Sequence, residues 1–96
     1  MIYVGAARLD FRVSYVNSLK EKRSIVNSVK AKVRTKFNVS VIEAENLDQH
    51  KSIVLGISAV SGDKDRASLT LRKVTDFILD NFDVELIQEE TYIENF

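Results

Sequence analysis

The period of the hydrophobic pattern switches between two and about 3.6 residues along this chain, and the order of those switches limits the folds open to it. Residues 2–14 alternate at period two, with apolar side chains on one face and, from Arg8 onward, polar side chains on the other, as a strand with one buried face does. Residues 19–36 repeat apolar side chains at the spacing of one helix face. Followed to its end, the pattern predicts strands at 2–14, 39–45, 52–61 and 84–93 and helices at 19–36 and 64–80.

This βαββαβ order predicts a single α+β domain over residues 1–96. Right-handed crossovers turn the order into the ferredoxin-like topology, a four-stranded antiparallel sheet with both helices on one face. Of the 96 residues, 45% are hydrophobic and 29% are charged, which suffices for one core and leaves no room for a second.

The face of the predicted sheet that the helices leave open carries apolar side chains at Ile2, Val4, Ala6 and Val54. An uncovered apolar face often marks an interaction surface. It therefore predicts a homodimer that forms through the open sheet face. The alternative is that long neighbouring side chains shield a modest patch.

The first predicted helix has clear end signals. Ser18 is a good N-cap, and Glu21 stands three residues later, which completes the sequence pattern of a capping box. Asn38 suits the exit turn, because asparagine tolerates the left-handed backbone of many helix ends. Ser61-Gly62-Asp63 predicts a turn and a cap before the second helix.

The same helix is unusually basic. At about 100° per residue, Lys20, Arg23, Lys30 and Arg34 fall on one side of it, and almost no acidic side chain answers them. Cations in the first turn also oppose the helix dipole, at a cost of a few tenths to about 1 kcal/mol each. These four residues and Lys22 are the predicted nucleic-acid or anion-binding residues. Lys22 projects nearer the apolar side, so its stem is alternatively expected to lie over the edge of the core.

Charge is distributed unevenly between the two parts of the chain. Residues 1–36 carry nine Lys/Arg and two Asp/Glu, whereas residues 37–96 carry five Lys/Arg and twelve Asp/Glu. The asymmetry predicts a bipolar surface whose basic side would meet an anionic partner. The alternative is that acidic side chains from the second part pack against the first helix and neutralise it.

Catalytic groups are scarce. There is no cysteine, the one histidine is His50 in the predicted hairpin loop, and no phosphate-binding glycine motif occurs. We expect no enzymatic activity, no catalytic residue, no cofactor and no metal site. A magnesium site at Glu43, Glu45 and Asp48 is a weaker alternative. The segment after the first strand lacks the glycines of the anion loop in small phosphatases of this topology, although Arg23 leaves an anion-processing enzyme open.

The N-terminal residues lack the basic start and the long apolar run of a signal peptide. No apolar stretch approaches the roughly 18 residues that a membrane-spanning helix needs. We therefore expect a cytoplasmic protein that does not enter a membrane.

The chain resembles the YlxP-like family of bacterial domains over residues 2–94. The resemblance is carried by three stretches: Ser18-Leu19-Lys20-Glu21-Lys22-Arg23-Ser24-Ile25-Val26, Phe37-Asn38-Val39-Ser40-Val41, and Val54-Leu55-Gly56 followed by Val60-Ser61. It implies a ferredoxin-like fold. It also implies a gene found among translation and transcription factors, and hence a role associated with the ribosome or with RNA. The family often has an aromatic residue in the hairpin where this chain has His50.

Two classes of function follow from these observations. The first is a non-enzymatic binding module that docks on ribosomal RNA or a ribonucleoprotein through the basic helix. Because the chain lacks the aromatic RNA-binding motif of other ferredoxin-like modules, we expect it to contact phosphates, with strong salt dependence. The second is a protein-interaction or homodimerisation module whose basic helix meets an acidic protein surface.

Overall fold

The computed structural model covers residues 1–96 and contains the six elements in the predicted order. They are β1 (Tyr3–Arg12), α1 (Leu19–Lys36), β2 (Ser40–Glu45), β3 (Ser52–Ser61), α2 (Lys64–Asn81) and β4 (Glu85–Asn95). All strand pairs are antiparallel, and the sheet order is β2-β3-β1-β4. The prediction of a ferredoxin-like α+β fold is thereby confirmed, and the predicted element ends differ from the observed ones by two residues at most.

One apolar core lies between the sheet and the two helices. Alternate residues of β1, among them Leu9 and Phe11, point toward the helices and are fully buried. They meet apolar faces of both helices, to which α1 contributes Val29 and α2 contributes Val74. The period-two and 3.6-residue patterns of the sequence therefore coincide with the two sides of the same core. Neither helix is apolar enough over a sufficient length to cross a membrane.

The two ends of α1 differ in how well the sequence predicted them. Ser18 is the N-cap, and its hydroxyl accepts the N–H of Glu21 at 3.1 Å. The prediction of a left-handed residue at Asn38 is wrong, because α1 runs into β2 through an extended Phe37. The one non-glycine residue with positive φ is Asn46, at 56°, in the hairpin loop. Asparagine fills the left-handed position as expected, but at a different turn.

A register shift in β2 sets the directions of two carboxylates. Glu43 pairs with Leu55 and Glu45 pairs with Val54, so that one extra residue of β2 lies between two consecutive residues of β3. Glu43 therefore points to the helix side and Glu45 to the open face. The three acidic residues of the weaker magnesium hypothesis do not converge, and no cluster of three potential metal ligands occurs in the chain.

The open sheet face has a charged half and an apolar half. Arg8 of β1 forms an ion pair with Glu45 of β2 across β3, and this hydrogen bond raises the pKa of Arg8. The prediction that Val54 belongs to an exposed apolar patch is wrong, because Val54 is 0% exposed where these long side chains cross β3. Ala6 and Ile2 are exposed as predicted, and Val4 is partly exposed.

Gly5 provides a test of core packing. A Cβ atom at this position would lie 3.0 Å from Leu71 Cδ1 and 3.1 Å from Ile93 Cδ1. We expect Gly5→Val to lower the free energy of unfolding by about 1–3 kcal/mol through overpacking, as measured by urea unfolding. Gly62→Val is the control, since a Cβ atom there meets nothing within 4 Å. Equal effects of the two substitutions would contradict this account of the core.

Candidate nucleic-acid interface

The predicted binding residues other than Lys22 form a stripe along one flank of α1. We call Lys20, Arg23, Lys30 and Arg34 the basic stripe. The buried face of α1 comprises Lys22, Val26, Val29 and Val33. At about 100° per residue, the stripe lies beside that face rather than opposite to it.

One hydrogen bond shows which neighbour the basic stripe faces. Arg34 Nη2 donates to the carbonyl oxygen of Val41 at 2.7 Å, so this flank of α1 lies beside the free edge of β2. The other flank of α1 faces α2. There the ammonium groups of Lys32 and Lys36 lie 5.2 Å from the ring centroids of Phe82 and Phe77.

No carboxylate neutralises the basic stripe. The chain contains three ion contacts within 4.0 Å, and they involve only Arg8 and Lys22 among its cations. The alternative that acidic side chains of the second part neutralise the first helix holds for Lys22, which Glu43 contacts, and not for the four cations of the stripe. Lys20 and Arg23 are exposed, and Lys30 is partly exposed. Arg34 uses one of its five N–H donors in the hydrogen bond to Val41, and the other four make no hydrogen bond within the molecule.

The acidic side chains of β4 stand at the opposite edge of the sheet. In the order β2-β3-β1-β4, three strand spacings of about 4.8 Å separate β2 from β4. That distance of about 14 Å exceeds the Debye length of about 8 Å at physiological salt. The four glutamates of β4 therefore screen the basic stripe weakly; they are Glu85, Glu89, Glu90 and Glu94.

Lys22 does not belong to the exposed surface. Its side chain is 0% exposed, and its Nζ donates to the carbonyl oxygen of Asn46 at 2.7 Å. The same Nζ lies 2.8 Å from Glu43 Oε2, at angles outside hydrogen-bond geometry. The prediction that Lys22 binds an external anion is wrong, because its charge is used inside the fold. The alternative prediction, that the aliphatic stem of Lys22 lies against the core, agrees better with this position.

The sequence pattern of α1 indicates that Lys22 is buried. Lys22, Val26, Val29 and Val33 follow the i, i+4, i+7, i+11 spacing of one helix face. Lys22 thus falls on the apolar face, although its charge suggested a surface position. Its carboxylate partner could not be read in the same way, because Glu43 faces the helix only through the register of β2.

The capping residues have structural roles. Ser18 Oγ accepts the Glu21 N–H, and Glu21 Oε2 accepts the Asn17 N–H at 3.4 Å. The reciprocal hydrogen bond of the predicted capping box is thus made with the N–H of Asn17, the residue before Ser18, instead of that of Ser18 itself. Both side chains are used to satisfy free N–H groups at the helix start.

The buried contact of Lys22 predicts a large effect on stability. We expect Lys22→Met to lower the free energy of unfolding by about 3–5 kcal/mol, because the carboxylate of Glu43 is left buried without its cation. The double variant Lys22→Met/Glu43→Leu should recover most of that loss, since apolar groups can replace a buried pair. Urea unfolding followed by circular dichroism measures both. Lys20→Met is the matched control on the surface, and an equal loss there would contradict the assignment.

Comparison with known proteins places the chain in a family. A model for the family described as "Protein of unknown function (DUF503)" matches residues 4–91. The "Uncharacterized protein YlxP" of Bacillus subtilis (strain 168) is 34% identical over 75 residues, which cover 78% of this chain and 82% of that protein. A mutant of SnoaB, a cofactor-independent oxygenase from Streptomyces nogalater, aligns over 99% of this chain and 92% of its own with 12% identity and a TM-score of 0.44. That likeness is too distant to bear on function. The chain belongs to the DUF503 family, and its resemblance to YlxP is confirmed.

Proposed function

We propose that this protein is a non-enzymatic module that binds RNA through the basic stripe, docking on ribosomal RNA or a ribonucleoprotein. The observation that carries the proposal is that all four cations of the stripe lack an acidic partner within the molecule. Natural helices commonly answer a cation with an acid three or four residues away. The four unpaired cations also lie together on one flank, where each raises the energy of its neighbours until an anion is bound.

The position of the stripe on α1 adds a second argument. Lys20 and Arg23 lie near the helix N-terminus, where the dipole disfavours a cation by a few tenths to about 1 kcal/mol. The same end presents backbone N–H groups that favour an anion. A phosphate at this end removes the penalty and makes both features favourable.

The dimensions of the stripe fit a polyanion. From Lys20 to Arg34 the helix rises about 21 Å at 1.5 Å per residue. One strand of a duplex carries roughly six phosphates over that length. The sugar-phosphate backbone of one nucleic-acid strand can therefore contact all four cations at once, whereas a small anion can contact only one or two.

The opposite face of the molecule is poorly suited to stacking on bases. Tyr3 lies on the helix side of β1, and Tyr92 is the exposed aromatic residue among the open-face positions of the four strands. Ferredoxin-like RNA modules use two or three aromatic side chains there. Binding through phosphates favours low sequence specificity and a steep dependence on salt.

Charge reversal within the stripe tests the proposal. We expect Arg23→Glu/Lys30→Glu to weaken binding to ribosomal RNA by at least about tenfold at low salt, and to reduce the slope of log K against log salt by about 2. Arg34 is left in place because it bonds to β2. Fluorescence anisotropy with a ribosomal RNA fragment, across a salt series, gives both numbers.

The control is Lys64→Glu/Arg72→Glu, which changes the net charge equally on α2 and should leave affinity and slope nearly unchanged. Equal losses of RNA affinity in the two variants would mean that binding depends only on net charge, which would overturn the proposal. An absence of RNA binding, together with salt-sensitive binding to an acidic protein, would instead support the alternative of a protein-interaction module.

A second candidate function is homodimerisation through the open sheet face. Three large apolar side chains are exposed there: Ile42 at 59%, Val60 at 68% and Tyr92 at 64%. Three strands of about ten residues and the six-residue β2 form a face of at most roughly 34 by 19 Å. That area of roughly 600 Å² approaches the ~800 Å² that each partner contributes to a stable interface. Arg8 and Glu90 place both signs of charge on this face, so a two-fold related copy would meet complementary charges.

We expect the wild type to show a concentration-dependent dimer in sedimentation velocity, and Ile42→Lys/Val60→Lys to weaken it at least about tenfold. Leu69→Lys is the control, because Leu69 is similarly exposed, at 51%, but lies on α2. A monomeric wild type at all concentrations, or equal disruption by the control, would eliminate this interface.

A further inference from the structure

A groove of about 300 Å³ opens between the C-terminal end of α1 and the N-terminal end of α2, and the end of β3 forms its floor. Three cations line it: Lys36 from α1, and Arg66 and Lys73 from α2. Sequence reasoning passed over these residues because Lys36 lies 30 or more positions from the other two and the three belong to no single motif. The groove lies on the flank of α1 that faces α2, away from the basic stripe.

Helix geometry explains why the cations meet. Arg66, Thr70 and Lys73 follow i, i+4, i+7 spacing and share one side of α2. Lys36 reaches toward that side, since its Nζ lies 5.2 Å from the ring centroid of Phe77. The Phe77 ring packs edge-to-face on Phe37 with centroids 5.6 Å apart, which fixes the rings beneath the lysine.

The lining contains no carboxylate, and none of the three cations lies within 4.0 Å of one. Asp63 and Asp65 border a neighbouring depression that Arg66, Thr70 and Lys73 also line. The Asp63 carboxylate accepts the Asp65 N–H at 3.1 Å and is thereby used as the helix cap. Three like charges around a small groove repel one another, so their convergence stabilises the molecule only when an anion is present.

Neutral hydrogen-bonding groups complete the lining. Ser61 Oγ accepts the Asp63 N–H, which leaves its hydroxyl hydrogen free to donate to an anion. Asn38 and Thr70 add an amide and a second hydroxyl, although the Thr70 hydroxyl donates to the Arg66 carbonyl at 2.9 Å. The side chains of Ala59 and Phe37 supply an apolar side. Three cations, a hydroxyl that can donate a hydrogen bond to an anion, and an apolar wall together suit a phosphate group attached to a small organic molecule.

We propose that this groove binds a phosphate monoester. Its volume lies at the lower limit of small-molecule pockets, about 300–1,000 Å³, and it therefore admits one phosphorylated unit of about mononucleotide size rather than a duplex. The same chemistry is offered by a free mononucleotide and by the terminal phosphate of an RNA strand. The site is independent of RNA binding by the basic stripe, because it uses other residues on the other flank of α1.

Titration of the ¹⁵N-labelled protein with adenosine 5′-monophosphate tests the site. We expect saturable shifts of the backbone amides of residues 36–38, 59–61 and 66–73, with a Kd of about 0.1–10 mM. Adenosine without phosphate should leave these amides unshifted. Absence of saturable shifts, or shifts confined to the basic stripe, would overturn the proposal.

Variants separate this groove from general electrostatics. Arg66→Gln/Lys73→Gln should weaken the binding of the mononucleotide at least about tenfold. Lys64→Gln/Arg72→Gln removes the same charge from the same helix and should retain binding. Equal weakening by both pairs would mean nonspecific attraction and would refute the site.

Two further comparisons distinguish the ligand sources and keep the two proposals apart. Tighter binding of a 5′-phosphorylated than of a 5′-hydroxyl oligoribonucleotide, lost in Arg66→Gln/Lys73→Gln, would assign the groove to RNA ends. Equal binding of the two oligonucleotides, with the mononucleotide still bound, would assign it to a free phosphate ester. The stripe variant Arg23→Glu/Lys30→Glu should retain mononucleotide binding in either case, so failure of one proposal leaves the other testable.

Discussion

The ammonium of Lys22, buried between α1 and the β2–β3 hairpin, is the contact on which the placement of the other charges depends. Removing a charge from water costs several kcal/mol unless it is paired and hydrogen-bonded. Lys22 meets this condition with the Asn46 carbonyl at 2.7 Å, the Leu47 carbonyl at 3.5 Å and the Glu43 carboxylate at 2.8 Å. The close-packed valines on the same face of α1 set the rotation of the helix, and the contact of Lys22 joins the hairpin to that face. Lys22 therefore ties the position of the hairpin to the rotation of α1.

The rotation of α1 decides which neighbour each remaining cation meets. With Lys22 directed inward, one flank presents Arg23 and Lys30 beside the β2 edge, and the other presents Lys32 and Lys36 to α2. The sheet order then separates the first flank from the acidic β4 by the full width of the sheet. The exposed cations of this flank and the glutamates of β4 therefore stand at opposite edges of the sheet, in a molecule with zero formal net charge.

The sequence predicted what depends on periodicity and missed what depends on register. Alternation and helical spacing were sufficient for the element order and for the burial of Phe11, because each reflects one continuous apolar face. The extra residue between Glu43 and Glu45 has no such signature, and it alone turns one carboxylate toward Lys22 and the other toward Arg8. The coverage of Val54 follows from that same ion pair across β3. The convergence of the two helix flanks on one groove likewise required the packing of α1 against α2.

Intramolecular chemistry accounts for some cations of this molecule and leaves others unexplained. Arg8 and Lys22 have carboxylate partners, and Lys32 lies over an aromatic ring. Lys36 also gains from the C-terminal end of the helix dipole. Arg34 of the basic stripe gains in the same way, since it lies in the same last turn. No comparable gain exists for Lys20, Arg23 and Lys30, or for Arg66 in the first turn of α2, where the dipole is unfavourable. Isolated unpaired cations need no explanation, because a charged surface keeps a protein dispersed. Clustering does need one, since each added like charge raises the energy of its neighbours until an anion arrives. The two clusters differ in form, one a line of about 21 Å and the other a confined groove, and this difference assigns a polymer to the first and a small phosphate to the second.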